Sequence, residues 1–290
     1  MLSKSKNPMQ KRVKLVLSLL CLPGLFSCNL DEVFAENPNR MEVMMTPGLS
    51  LFDEYDESPS TAEGIIYRVE HGENVIFAFT KEDCSSCEEF KKNTQDYCIE
   101  TQYRFSYINE NHRQEANKIS EYAVEKGLER TISRPIDGST PSMYIMSKEK
   151  IVELIYGSTR NDKKVLATSL KEYVKESNVY HAGLAVWGYE FIQYHDTIKG
   201  PTYVMTEEYK DDFYENVYPI VSKSDKHFNV LELDGSYKED SEFQTLCGLA
   251  GTEDIEGKLI DVYWEDYKHY IDVIDDTEAY LKENYVSSSL

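Results

Sequence analysis

The residues of this sequence with the most evident chemistry are two cysteines separated by two serines, Cys84-Ser85-Ser86-Cys87. At this spacing one thiolate can attack a disulfide of another protein, and the second cysteine can resolve the mixed disulfide. Residues 74–80 form a nearly continuous apolar run, which predicts a strand buried on both faces of a sheet. Residues 88–92 predict a helix that begins at the cysteines, where unpaired backbone N–H groups favour the thiolate of Cys84.

Metal binding and a purely structural disulfide are the two alternatives for this cysteine pair. A zinc site needs four ligands, and the sequence holds neither a second C-x-x-C pair nor a His-Cys cluster, since His112 stands alone. Two acidic neighbours, Glu82 and Asp83, would oppose formation of the thiolate. We favour a redox-active dithiol at Cys84 and Cys87 without metal or cofactor, and the pattern leaves open whether it oxidises, reduces or isomerises.

The sequence around the cysteines predicts the other elements of an α/β domain. A short helix capped by Ser or Thr should end near Gly72. A second strand is expected at residues 104–109 and a helix at 115–126. A strand, a turn and another strand follow at residues 140–157, and a helix at 166–174 closes the domain.

This order of elements, together with the dithiol and with Thr140-Pro141 before the strand hairpin, resembles the thioredoxin superfamily over about residues 58–178. The resemblance implies a central mixed sheet flanked by helices, with a cis proline at Pro141 that faces the dithiol. It also implies that the backbone of Thr140 pairs with a bound substrate. Pro135 fits the proline position less well, because no strand follows it directly.

The chain departs from the family pattern at three points. The interval between the dithiol and Pro141 is long, which predicts an insertion at residues 118–138. No tryptophan precedes the dithiol, and Ala78 occupies the position where thioredoxins bury an acidic residue. The resemblance extends to thioredoxin-like lipoproteins of the bacteriocin transport accessory type, which are small extracytoplasmic proteins.

The second half of the chain repeats the predicted order of elements without its cysteines. Strands are expected at residues 201–206, 228–234, 258–264 and 267–274, and a last helix at 277–285. When Thr206 is aligned with Thr80, residues 210–213 take the place of the dithiol, and no proline precedes 258–264. We therefore predict a degenerate thioredoxin-like domain at residues 179–290, which would act as a scaffold, in substrate docking or in dimerisation.

The N-terminus has the pattern of a targeting segment. Basic residues precede an apolar run at residues 13–26, which at about 1.5 Å per residue is too short to span a hydrocarbon core of about 30 Å. The sequence Leu25-Phe26-Ser27-Cys28 is similar to a bacterial lipobox, which implies a signal peptide at 1–27 and a lipid anchor on Cys28. Cys21, which follows a bulky residue, is a competing site, and a plain signal peptide is the other alternative.

The segment after Cys28 has the composition of a linker. Residues 28–57 are acidic, contain Pro38 and Pro47, and lack a sustained apolar period. These properties predict an acidic tether between the anchor and the first domain.

The charge balance limits the possible partners. The chain has 52 acidic and 31 basic residues, a formal net charge of −21. Such a surface repels phosphates, so we expect no nucleic acid partner. The two remaining cysteines, Cys98 and Cys247, are expected to be buried apolar side chains, with a bridge between the domains as the alternative.

Two hypotheses for function follow. The first is a membrane-tethered, extracytoplasmic thiol-disulfide oxidoreductase in which Cys84 attacks, Cys87 resolves and Thr140-Pro141 pairs with the substrate. Its partners would be protein thiols or disulfides and a second protein that exchanges thiols with it. The rival is a non-catalytic surface lipoprotein that binds a protein partner and whose disulfide is structural.

Overall fold

The computed structural model consists of two sheets with their flanking helices. The residues described are 37, 40–46, 60–90, 92, 103–156, 170–182, 201–233, 255–265 and 268–286. Both sheets belong to one compact unit, Asn39–Leu290. Within the described ranges, no helix combines the length and the apolar character needed to cross a membrane.

The strands and helices of the described residues have the following bounds. The strands are β1 (Met41–Met45), β2 (Val75–Phe79), β3 (Phe105–Ile108), β4 (Glu129–Thr131), β5 (Ser142–Met146), β6 (Lys150–Tyr156), β7 (Val174–Ala182), β8 (Thr202–Met205), β9 (Phe228–Glu232), β10 (Leu259–Glu265) and β11 (Lys268–Ile274). The helices are α1 (Ala62–Glu70), α2 (His112–Glu125), α3 (residues 207–221, with a π-helical stretch at Phe213–Val217) and α4 (Thr277–Asn284). A further helix at residues 85–90 follows Cys84 and is called the dithiol helix below.

Strand β2 lies in the interior of the first sheet, whose order is β3-β2-β5-β6-β4. It pairs in parallel with β3 and antiparallel with β5, and all five of its residues are buried. Because side chains alternate across a strand, Val75, Phe77 and Phe79 pack with α1 and α2 on one face, whereas Ile76 and Ala78 pack on the other. The predicted doubly buried strand is confirmed.

Helix α1 begins where the sequence predicts a capped helix. The Thr61 hydroxyl accepts a hydrogen bond from the backbone N–H of Gly64 at 3.1 Å, which satisfies one unpaired donor of the first turn. The helix ends at Glu70, and Gly72 follows with a φ of 98°, a conformation that favours glycine. The chain then turns into β2.

The second sheet repeats the strand order of the first. Its order is β1-β7-β9-β8-β10-β11, in which β8 is parallel to β9 and antiparallel to β10, and β10 is antiparallel to β11. The four strands β9-β8-β10-β11 match β3-β2-β5-β6 in order and in direction. The predicted fold class is confirmed: mixed α/β sheets flanked by helices, in two tandem copies, the second without a dithiol at the matching position.

Strand β1 corrects the interpretation of residues 28–57 as a tether at one place, Met41–Met45. Met41–Met45 pairs in parallel with β7, and four of its five side chains are buried. Its last residue forms a bridge with Tyr103, and the N–H of Arg104 donates to the carbonyl of Met44 at 3.0 Å. β1 therefore joins the edges of the two sheets. Unbranched methionine is not among the residues that favour strands, so these residues show no strand pattern in the sequence.

Two more elements differ from the prediction. Strand β4 lies inside the predicted insertion at residues 118–138 and consists of three exposed residues, too few to give a pattern. Strand β7 begins at Val174 and crosses the predicted boundary between residues 178 and 179, because its first half pairs with β1 and its second half with β9. The domain boundaries themselves stay predictions.

Candidate dithiol site

The dithiol lies at the carboxyl end of β2. After Phe79 the chain passes through residues 80–83 to Cys84, and the dithiol helix begins at the next residue. Cys84 and Cys87 are joined in a disulfide with a Cα–Cα distance of 5.2 Å. Cys84 is 9% exposed and Cys87 is 0% exposed, so both cysteines are buried and Cys84 is the more accessible of the two.

Two hydrogen-bond donors converge on the Cys84 sulfur. The backbone N–H of Cys87 donates to Sγ at 3.2 Å, and the Ser86 Oγ lies 3.3 Å from the same atom. A disulfide sulfur carries no hydrogen, so the Ser86 hydroxyl is the donor. Both contacts favour a Cys84 thiolate once the disulfide is reduced. No sequence signal distinguishes Ser86 from Ser85, because only the helix geometry turns one of them toward the sulfur.

Acidic side chains flank the dithiol and oppose these donors. Glu82, Asp83, Glu88 and Glu89 are all exposed. Like charges disfavour a thiolate, although solvent and salt weaken the repulsion from exposed groups. Asp83 has a φ of 52°, in the left-handed region that aspartate tolerates better than most residues. Two opposing effects therefore act on a Cys84 thiolate: the close donors stabilise it, and the more solvated carboxylates destabilise it.

The loop before β5 reaches the same edge of the sheet. The Thr140–Pro141 peptide bond is cis, as the resemblance to the thioredoxin superfamily implies, and the proline is buried. Ser142, the first residue of β5, pairs with Phe79, the last residue of β2. The structure therefore brings Thr140-Pro141 and the dithiol to one edge of the sheet. Pro135, the weaker candidate, is exposed.

His112 also lies at this edge, although the sequence marks it only as an isolated metal ligand. Its Nε2 is 2.6 Å from the carbonyl oxygen of Thr80, and its ring meets Phe79 edge-on with the centroids 6.3 Å apart. In the part of the chain that the structure describes, no group of three or more His, Cys, Asp or Glu side chains could hold a metal ion. His112 takes part in the hydrogen bonding of the dithiol edge.

The other cysteines singled out in the sequence lie outside the described residues; they are Cys21, Cys28, Cys98 and Cys247. Lipid attachment at Cys28 and the state of Cys98 and Cys247 stay predictions.

Comparison with known proteins gives similarity to solved structures only. No family model and no curated protein matches the sequence. Similar structures include the J-Trx1 fragment of ERdj5, with 19% identity and a TM-score of 0.27 over 40% of this chain and 51% of that chain. Human ERp44 in its zinc-bound form has 15% identity and a TM-score of 0.25, over 79% of this chain and 57% of that one. The first two thioredoxin domains of Naumovozyma dairenensis Eps1p have 11% identity and a TM-score of 0.24, over 79% and 97%.

The chain spans little more than half the length of the first two of these structures. Their TM-scores are too low to establish a common fold. The fold assignment depends on the chain itself. A dithiol begins the helix after a central strand, a cis proline precedes the antiparallel hairpin, and the strand order recurs in the second sheet. The fold is thioredoxin-like.

In the second thioredoxin-like copy, the position that matches the dithiol packs against the first copy. Tyr67 of α1 donates a hydrogen bond to Asp211, and the Lys210 Nζ lies 4.7 Å from the centroid of the Tyr67 ring. Burial, and then the hydrogen bond to Asp211, raise the pKa of Tyr67. In the second copy, these contacts occupy the position that the dithiol has in the first copy. Of the three predicted roles for the second copy, they favour a scaffold.

A buried ionic cluster connects the two thioredoxin-like copies. Glu73 forms an ion pair with Arg68, lies 3.9 Å from Nη1 of Arg104, and accepts a hydrogen bond from the Tyr214 hydroxyl of α3 at 2.8 Å. Burial alone would raise the pKa of Glu73, but Arg68, Arg104 and the hydroxyl lower it below its ordinary value of 4.5. Loss of this carboxylate would leave the buried Arg68 without the counter-charge that Glu73 supplies, whereas Arg104 would keep Glu232 at 3.5 Å.

Proposed function

We propose that this chain is a thiol-disulfide oxidoreductase that acts on protein cysteines through Cys84 and Cys87. The observation that carries the proposal is the asymmetry of the pair: Cys84 receives two donors at its sulfur and keeps some exposure to solvent, 9%, whereas Cys87 is fully buried. The attacking thiolate needs access to the substrate, whereas the resolving cysteine needs to reach only the sulfur of its partner cysteine. Thr140-Pro141 lies at the same edge, where the backbone of Thr140 would pair with the substrate.

The proposed reaction begins with the reduced dithiol. The Cys84 thiolate attacks one sulfur of a substrate disulfide; an S–S bond forms between Cys84 and the substrate, and the other substrate sulfur leaves as a thiolate. The Cys87 thiolate then attacks the Cys84 sulfur, which forms the Cys84–Cys87 disulfide and releases the second substrate thiolate. Two electrons have then passed to the substrate. The thiols of another protein supply two electrons that reduce the Cys84–Cys87 disulfide again. Oxidation of a substrate is the same sequence in reverse.

The first test is the reduction potential of the Cys84–Cys87 couple, measured by equilibration with glutathione followed by alkylation of free thiols. A midpoint between about −120 and −270 mV is the range of catalytic dithiols and would support the proposal. A midpoint below about −300 mV, with Cys84 unreactive toward alkylation, would identify a structural disulfide and overturn it.

A second test identifies the attacking sulfur. Cys87→Ser removes the resolving thiol, so mixed disulfides between Cys84 and partner proteins should accumulate in cells. Cys84→Ser is the matched control, since the buried Cys87 should trap no partners. Equal amounts of adduct from the two variants would contradict the assignment.

We also propose that the enzyme is extracytoplasmic and anchored to the bacterial cell membrane by a lipid on Cys28, as in thioredoxin-like lipoproteins of the bacteriocin transport accessory type. The support is the sequence of residues 1–28: a basic start, a short apolar run and Ser27-Cys28. Cys28→Ala should release the protein from the membrane fraction, and Cys21→Ala should leave it there. Retention of Cys28→Ala in the membrane would contradict this anchor.

The alternative function is a non-catalytic surface lipoprotein that binds a protein partner. The low exposure of Cys84, 9%, favours it, because a structural disulfide needs no access to solvent. The two functions differ in the reduction potential and in the reactivity of Cys84, so the first test above separates them.

A further inference from the structure

His112 is the first residue of α2, and its side chain crosses to the end of β2. Its Nε2 lies 2.6 Å from the carbonyl oxygen of Thr80, and a carbonyl can only accept, so Nε2 carries the proton of this hydrogen bond. On the other side, the Thr80 N–H donates to the carbonyl of Ile108 at 3.0 Å. Thr80 comes four residues before Cys84 and is fully buried. The backbone that leads into the dithiol is thus fixed by β3 on one side and by His112 on the other.

The same residue supports the loop that contains Thr140 and Pro141. A Cβ placed on Gly138 would lie 2.5 Å from the His112 carbonyl oxygen and 3.0 Å from its Cβ, so this loop passes close to the backbone of His112, a contact that substitution of the imidazole leaves in place. Gly138 has a φ of 75°, which also favours glycine there. The loop is held at its far end, where the Ser142 hydroxyl donates to the carbonyl of Ser139 at 2.7 Å. His112 contacts both halves of the candidate site.

We propose that His112 is a positioning residue that sets the distance between the Cys84 sulfur and the Thr140 backbone for protein substrates. The proposal depends on the proposed function, because it concerns how a peptide reaches the dithiol. A peptide disulfide must meet Cys84 and pair with Thr140 at the same time, whereas a small disulfide must meet only Cys84. Misplacement of reacting groups by about 1 Å can cost on the order of 100-fold in rate. Loss of the His112 hydrogen bond should therefore slow peptides more than small molecules.

Two substitutions separate the hydrogen bond from the bulk of the side chain. His112→Leu removes the donor and keeps an apolar side chain, whereas His112→Gln keeps an N–H donor at the end of a chain of similar length. Leucine and glutamine have similar helix propensities, so α2 should be equally stable in both. His71→Leu is the control, because His71 Nδ1 makes a comparable contact with the Tyr67 carbonyl at 2.7 Å, at the C-terminal end of α1.

The experiment measures second-order rate constants of the reduced full-length chain with a peptide disulfide and with bis(2-hydroxyethyl) disulfide. We expect His112→Leu to react about tenfold more slowly with the peptide and within about twofold of the wild type with the small disulfide. His112→Gln should recover most of the peptide rate, and His71→Leu should resemble the wild type. If His112→Leu does not fold, His112→Asn replaces it, since its amide is one carbon too short to reach Thr80.

Three outcomes overturn the assignment. They are an unchanged peptide rate in His112→Leu, an equal loss with both disulfides, and an equal loss in His71→Leu. A wild-type chain that reacts with neither disulfide, and whose Cys84 resists alkylation, would instead overturn the proposed function, and the role of His112 with it.

Discussion

The Ser86 hydroxyl donates a hydrogen bond to the Cys84 sulfur at 3.3 Å, whereas Ser85, one position earlier, is exposed. A hydrogen bond to a charged group contributes about 1.5–3 kcal/mol, which corresponds to roughly tenfold or more in the population of the thiolate. The two serines thus form a natural pair of test and control within the dithiol itself.

We predict that Ser86→Ala lowers the alkylation rate of reduced Cys84 near neutral pH by roughly fivefold to tenfold and moves the pH profile of alkylation to higher pH. Ser85→Ala should leave both unchanged. The measurement is the rate of reaction with iodoacetamide as a function of pH. If both alanine variants behave like the wild type, the hydroxyl does not stabilise the thiolate.

The second prediction concerns the contribution of the Glu73 carboxylate to the stability of the folded protein. Glu73→Gln should lower the free energy of unfolding by about 3–5 kcal/mol, because it leaves the buried Arg68 without the carboxylate that pairs with it and removes one acidic neighbour of Arg104. Glu42→Gln is the control: Glu42 and Lys175 form an ion pair at 2.6 Å with both side chains 42% exposed, and such a pair contributes about 1 kcal/mol or less. Urea unfolding followed by circular dichroism measures both. Similar losses in the two variants would contradict a special role for the buried cluster.

The same carboxylate predicts a pH dependence. The pKa of Glu73 is lowered in the folded protein, so its contribution to stability is complete above its ordinary value of 4.5 and is lost as the pH falls through the lowered value. The difference in stability between wild type and Glu73→Gln should therefore shrink when unfolding is measured at progressively lower pH below about 4.5. A difference that stays constant down to pH 2 would be incompatible with this linkage.

The fourth prediction concerns His181 of β7, which should make the stability of the protein depend on pH in a higher range than Glu73 does. Its ring is 0% exposed, and burial, followed by the charges of Arg104 and Arg68, holds its pKa well below 6.5. Glu232 lies 3.1 Å from its Nε2 and would favour the charged ring, but this carboxylate is 42% exposed and also lies 3.5 Å from Arg104. Burial and the two arginines therefore outweigh this carboxylate.

The unfolded chain takes up a proton at His181 near pH 6.5 and the folded protein does not, so stability should fall below that pH by about 1.4 kcal/mol per pH unit from this residue. His181→Leu should remove this part of the slope, whereas His227→Leu, at an exposed histidine, should leave it. The measurement is urea unfolding between pH 5 and 7.5. An unchanged slope in His181→Leu would show that the buried ring takes up protons in the folded state.

Strand β1 supplies a fifth prediction. Met44 is 1% exposed, packs in the core of the second sheet and places its Sδ 3.7 Å from the Arg104 guanidinium. Met44→Ala should destabilise the protein by about 2–5 kcal/mol, the usual result of truncating a buried side chain of this size. Glu42→Ala, on the same strand but half-exposed, should cost about 1 kcal/mol or less. A negligible effect of Met44→Ala would return this segment to the tether interpretation.

Sequence patterns predict those features of this protein whose cause is local. The dithiol, the strand before it, the Thr61 cap and the proline of the cis bond depend on neighbours in the chain, and each occurs where its pattern predicts it. His112 is different, because its partner is the Thr80 carbonyl, 32 residues away. Such a contact depends on where two elements meet in the folded chain, and no spacing in the sequence encodes it.

The same reason explains the elements that sequence patterns miss. Met41–Met45 forms a strand because it pairs with β7 on one side and bonds to residues 103–104 on the other. A short run rich in methionine has little strand propensity of its own. The direction in which Ser86 points is likewise a property of the dithiol helix and not of its composition. Partners distant in sequence therefore account for most of what only the structure shows.

The position of β1 has a mechanical consequence. If the chain is held at a membrane through Cys28, tension on the anchor reaches β1 before any other described strand. Because β1 runs alongside β7 and touches the start of β3, a pull along its axis loads a row of backbone hydrogen bonds together instead of opening them one at a time. The junction of the two sheets would then carry this load, between the anchor and the dithiol at the end of β2.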